Sequence, residues 1–202
     1  KMGFRPVVIV MALIVLSGCE NMKPTDFKDS MPRLEIEKYF AGKTQAWGIF
    51  EDRFGKLRRQ FTVDITGTWD GKELTLVEQF QYRDGEQDDR IWRITKTGDH
   101  TYEGKADDII GVAKGESYGN SLNWQYDMDL KIGDSTVQVH FNDWMYLQPS
   151  GVLLNRARVT KLGIEIGSVT LSFLKLEKGS TVSGVEFNDW LSSGGPMQAA
   201  NQ

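Results

Sequence analysis

The chain has 202 residues, a formal charge of −4, 21 Gly against 5 Pro and 11% aromatic residues. An acidic chain without a basic cluster excludes nucleic acid as a natural partner, and five prolines are too few for a Pro-rich linker protein. A single cysteine, Cys19, excludes an intramolecular disulfide framework.

The chain starts with "KMGFRPVVIVMALIVLSG". Lys1 and Arg5 precede an apolar run from Val7 to Leu16, too short for the ~20 residues a membrane span needs. A charged start, a short apolar middle and small residues before the end predict a signal peptide over 1–18. Leu16-Ser17-Gly18-Cys19 resembles the bacterial lipobox, in which the cysteine is diacylglycerylated, the signal is cut before it, and the new amine is acylated. Two or more acyl chains anchor a protein stably where one does not. Glu20 stands where enteric bacteria place Asp to retain a lipoprotein in the inner membrane. The expected address is therefore the periplasmic face of the outer membrane. Loss of residues 1–18 removes Lys1, Arg5 and no acid, taking the charge from −4 to −6.

Residues 19–39 read as a lipidated N-terminus and tether: "ENMKPTDFKDSMPR" is polar with two prolines, and "LEIEKYF" predicts one or two helical turns. From Gly42 the pattern becomes alternation. In "FTVDITGTW", Phe61, Val63, Ile65, Gly67 and Trp69 share a face; in "LNWQYDMDLKI", so do Leu122, Trp124, Tyr126, Met128, Leu130 and Ile132. Period two over such lengths is a half-buried strand. Gly- and Asp-containing turn signals ("RFG", "WDG", "RDG", "TGD", "YGN", "IGD", "PSG", "KLG") separate the runs, which describes an antiparallel meander. Roughly nine or ten strands favour closure, which removes exposed edges. The predicted fold is all-β, an up-and-down, lipocalin-like barrel over 40–177, with a two-sheet sandwich as the alternative. Residues 178–202 read as a flexible tail, with "VEFNDWL" as its one sticky patch.

The segments "AWGIFEDRFGK", "GTWDG", "FNDWMYL" and "LLNRARVTKLG" resemble a bacterial lipoprotein family catalogued as domain of unknown function 3833, over about Phe40 to Leu176. The resemblance implies an envelope lipoprotein with a lipocalin-like barrel. Family members tend to be encoded near enzymes that modify membrane fatty acids, which implies a connection with lipid. It carries over no catalytic residue.

"GESYG" (115–119) matches a nucleophile elbow, and Ser117, Asp134 and His140 follow in hydrolase order. The elbow needs a helix after the serine; "NSLNWQYDMDL" reads as a strand, so a hairpin turn is expected instead. His100 and His140 are the only histidines, short of the three or four ligands of a zinc site; no metal or cofactor is expected. Asp107 and Asp108 read as turn formers. "FNDW" occurs at 141–144 and 187–190, too short for a fold repeat.

Two charged pairs stand out. With "QPSG" as a four-residue loop, Leu147 meets Val152 and Asp143 lies opposite Arg156. With Tyr82 opposite Asp89, Glu78 meets Arg93. Each pair then shares an apolar face, either as an ion pair closing the barrel or as a contact for a ligand head group. The leading functional reading is a lipid-anchored barrel binding a fatty acid or other lipid among Trp69, Phe80, Trp124, Tyr126, Met128 and Phe141, with Arg156 at the head group. A small barrel filled by its own side chains is the alternative, and that would be a non-enzymatic scaffold docking a partner protein. An enzyme acting on lipid chains, with Asp143 or Glu78 as base, is the third reading. A lumen of a few hundred Å³ separates the first two, and a lumenal carboxyl with a raised pKa would favour the third.

Overall fold

The computed structural model describes residues 22–132 and 135–176. Cys19, the signal segment, Asp134, the tail and the second "FNDW" lie outside them. Ten strands run in order: β1 (Gly42–Asp52), β2 (Leu57–Trp69), β3 (Glu73–Tyr82), β4 (Gln87–Lys96), β5 (Thr101–Lys105), β6 (Ile109–Tyr118), β7 (Ser121–Ile132), β8 (Ser135–Leu147), β9 (Val152–Lys161) and β10 (Ile164–Leu176). Each pairs antiparallel with its successor, and β10 pairs with β1 from Leu176↔Lys43 to Gly167↔Asp52. The sheet is a closed barrel, not a sandwich. Alternation builds its wall: on β9, Leu153, Asn155, Ala157 and Val159 are buried while Leu154, Arg156 and Arg158 are exposed.

Turn chemistry sets the registers. Three hairpins close on three-residue loops, Arg53-Phe54-Gly55, Arg83-Asp84-Gly85 and Pro149-Ser150-Gly151. In each, the glycine N–H returns to the carbonyl three residues back, at 2.8, 3.0 and 2.9 Å. The glycines sit at φ 75°, 90° and 84°, the left-handed position that ends such a loop. Gln148 therefore pairs with Val152 and Tyr82 with Glu86.

Both registers expected for the charged pairs are corrected by this. The first slips by one residue and the second by three, and an odd slip turns a strand over. Asp143 lies opposite Ala157 while Arg156 faces Trp144. Glu78 lies opposite Arg90 while Arg93 faces Thr75.

One end of the barrel is stoppered by the chain that precedes β1. The stretch from Met22, expected as a tether, lies on the wall instead. Phe27, at the end of a 3-10 turn (Pro24–Phe27), packs against Trp144 and Tyr146 at centroid distances of 5.8 and 5.6 Å. The Leu34 N–H bonds the Gly119 carbonyl at 2.8 Å. The single turn α1 (Ile36–Tyr39) then enters the barrel end with Leu34, Ile36, Tyr39 and Phe40 buried. Tyr39 donates to the carbonyls of Gly151 and Phe173. Glu37 takes Lys96 Nζ at 2.6 Å and the Tyr102 hydroxyl at 2.9 Å. Burial would push the Glu37 carboxyl up, but these bonds hold it below its ordinary value. Among the described residues, the opposite end, with the loops at 53–55, 83–85 and 162–163, carries no such plug.

Candidate ligand-binding lumen

The barrel encloses a cavity of about 720 Å³. Ile36 and Phe40 of the plug form its floor; Arg58, Arg59, Tyr82 and Glu86 stand at its rim. Its wall is aromatic and aliphatic. Trp124 packs edge-on against Trp92 at 5.7 Å, and Tyr126 stacks on Phe141 at 5.0 Å. Space for the Trp124 indole comes from two glycines of neighbouring strands: a Cβ on Gly104 or Gly115 would fall 2.6 or 2.3 Å from its ring. The first glycine of "GESYG" thus serves packing. Ser117 is buried, its hydroxyl 2.8 Å from the Leu34 carbonyl and 3.0 Å from that of Ser121. His140 faces outward against Asp127 at 2.8 Å. No hydrolase site is assembled from Ser117 and His140.

Below the rim, charged and amide side chains of β3, β4, β8 and β9 line the lumen. Arg90 of β4 forks onto Asp108 of the β5–β6 turn, Nε and Nη2 donating to Oδ2 at 2.9 and 2.7 Å. Its Nη1 lies 3.8 Å from Glu78 of β3, and its guanidinium 5.3 Å from the centre of the Phe80 ring. On the β8 and β9 wall, Asp143 and Asn155 are both buried, 5% and 4% exposed. The Asn155 amide reaches the Asp143 Oδ2 only at 3.5 Å, and the Oδ1 atoms of both residues accept no bond.

Arg90 thus faces the carboxyls of Glu78 and Asp108, while among the described residues the Asp143 carboxyl is buried without a direct ion pair. Burial pushes Glu78 up to about 7, against the pull of Arg90 and with a further push from Asp108. Burial likewise pushes Asp143 up to about 7, with Asn155 and Arg90 opposing. Burial, then the Asp143 charge, pushes the Tyr126 hydroxyl well above its ordinary range. At the rim both arginines are already paired. Arg58 holds Asp52 at 2.6 Å, and Arg59 holds Glu86 at 2.7 Å while lying 3.6 Å over Tyr82.

Of the residues singled out in the sequence, Glu78, Asp143, Trp124, Tyr126 and Phe141 line the lumen. Arg156 is exposed on the outer wall, and Arg93 is exposed beside Glu73 at 3.4 Å, so neither reaches the cavity. Arg90, Asp108 and Asn155 were missed. The three-residue "RDG" and "PSG" turns carry the signal for Arg90 and Asn155, since a left-handed closing glycine fixes both registers. Asp108 is a turn residue as expected, but the register irregularity between Ile110 and Lys114 leaves its aim unreadable in the sequence. Among the described residues no group of three or more His, Cys, Asp or Glu could hold a metal.

A closed ten-stranded barrel with a plugged floor and an apolar lumen of small-molecule size is a lipocalin-like architecture. The chain belongs to the family described as Protein of unknown function (DUF3833), which matches residues 13–175. No curated protein matches it. Among solved structures it is similar to the S-type phycobiliprotein lyase CPES from Guillardia theta, with 9% identity, a TM-score of 0.52, and coverage of 72% of this chain and 95% of that one. At that identity the likeness concerns the fold.

Proposed function

We propose that the protein is a lipid-anchored carrier of the bacterial envelope, holding a single-chain fatty acid derivative or other lipid in its lumen. The observation that carries the reading is the cavity of about 720 Å³, within the ~300–1,000 Å³ of small-molecule sites and far larger than packing defects between core side chains. An apolar wall with a few convergent polar groups suits an amphipathic guest. The neighbour's title, a phycobiliprotein lyase, is compatible with a barrel that handles a ligand and names none for this chain.

The anchor in this reading is Cys19, acylated at the periplasmic face of the outer membrane. Three residue steps join Cys19 to Met22, at most about 11 Å of extended chain. Met22 lies against Tyr146 on the wall near the plugged end, its sulfur 3.6 Å from the hydroxyl. In this reading the plugged end lies by the bilayer and the mouth faces the periplasm.

Binding is tested by titrating the chain from Glu20 to Gln202, which holds every described element, with an apolar fluorophore. Saturable one-to-one binding, lost in Ala157→Phe, supports a carrier; Ala157 lines the lumen and is 2% exposed. Absence of binding leaves a barrel that works through its outer wall. Loss of metabolic palmitate labelling in Cys19→Ser tests the anchor separately.

A second reading has one observation behind it: two lumenal carboxyls poised at about 7 suit general acid–base work on a bound chain. Turnover of an added lipid, abolished by Asp143→Asn, would move the protein to that class.

A further inference from the structure

The polar lining of the lumen is rich in acceptors. Asp143 and Asn155 stand side by side on adjacent strands and line the cavity, each more than nine-tenths buried, with an Oδ1 that accepts no hydrogen bond. A buried acceptor left without a donor costs free energy, so the site is completed by whatever brings one. Among the described residues Arg90 is the one guanidinium that lines the cavity below the rim, and it is already forked onto Asp108 and faces Glu78. A fatty acid carboxylate placed there would meet Asp143, with Glu78 also lining the cavity, and among the described residues the lining arginines Arg58, Arg59 and Arg90 are each already paired.

We propose that Asp143 and Asn155 form a head-group subsite that takes an apolar molecule head first through a hydrogen-bond donor carrying no negative charge, a hydroxyl, amide or ammonium, and disfavours a free carboxylate. This rests on the carrier reading above and refines it. The apolar body then lies towards the mouth along Phe80, Tyr126, Met128 and Phe141, and the rim arginines stay in their existing pairs. The raised proton affinity of Asp143 agrees with a site that is uncomfortable when charged and empty.

The test compares four probes of one chain length, hexadecylamine, hexadecan-1-ol, palmitic acid and hexadecane, by displacement of the lumenal fluorophore at pH 8. The amine and the alcohol should bind more tightly than palmitic acid, the amine by about tenfold, the effect of one charge-assisted hydrogen bond. Asp143→Asn should abolish that preference, read as the affinity of each headed probe relative to hexadecane, while hexadecane still binds saturably. Asn155→Leu should weaken the alcohol relative to hexadecane. Tightest binding of palmitic acid, or equal affinity for the headed probes in wild type, would overturn the subsite while leaving the carrier. A preference that persists in Asp143→Asn would do the same. Failure of all four probes to displace the fluorophore, or of the fluorophore to bind, would overturn the carrier and the subsite with it.

Discussion

At the scale of single residues, burial makes two lumenal carboxyls hold their protons more tightly than they would in water. Asp143 is moved from its ordinary 3.8, and Glu78 from 4.5, each to about 7 by burial. Both bind a proton more tightly folded than unfolded, so the native state holds extra protons between about pH 4 and 7. Their contribution is whole below about pH 4 and is lost as the pH rises to 7 and beyond. For Asp143 that shift corresponds to about 4 kcal/mol at most. Asp143→Asn removes the charge at nearly constant shape. The variant should melt roughly 5 °C above wild type at pH 8 and within about 1 °C of it at pH 4. Equal melting shifts at both pH values would contradict a buried, titrating Asp143. Arg90 makes the converse case. Arg90→Met leaves Glu78 and Asp108 without their cation and should cost roughly 3–5 kcal/mol at pH 8 in urea unfolding. The cost should shrink at pH 5, where Glu78 is protonated; a loss independent of pH would mean that packing, not charge, is what Arg90 supplies.

At the scale of elements, the plug and the turns decide what the alternating strands enclose. The strands themselves were legible: the faces read for Phe61–Trp69 and Leu122–Leu130 are the faces observed, because period two maps directly onto a one-sided wall. The "FNDW" of β8 was legible too, with Phe141 and Asp143 inward and Trp144 outward. Arg156 and Arg93 were misplaced because alternation fixes a strand's faces but not its partner's offset. That offset lies in whether a glycine at φ near 80–90° is the last residue of the loop. The docking of 22–40 was not legible, since short polar text around Phe27 and Leu34 gives no hint of the surfaces it meets. Gly67 of β2 shows how close that docking is: a Cβ there would fall on the Phe40 carbonyl, 1.9 Å away. Gly67→Ala should therefore lift the plug and cost about 1–3 kcal/mol, with faster proteolysis at 34–40. Wild-type stability would show that the plug has slack. Gly115→Ala acts elsewhere: it should displace Trp124, changing the near-ultraviolet circular dichroism while far-ultraviolet strand content stays the same.

At the scale of the molecule, closure accounts for both the stability and the hollow. Ten strands paired all round leave no edge, so the wall stands without a filled interior. The lumen can therefore stay open at about 720 Å³. The plug makes this a vessel with one mouth, and the acceptor-lined depth sets what suits it. The proposal that spans the whole molecule is a lipid-like guest carried in the lumen. Its most direct test is native mass spectrometry of the Glu20–Gln202 chain secreted into the bacterial periplasm, followed by organic extraction. The prediction is a co-purifying amphipathic molecule near one per chain in the wild type and absent from Ala157→Phe. A wild-type mass equal to that of the bare polypeptide, unchanged after incubation with envelope lipids, would contradict the claim.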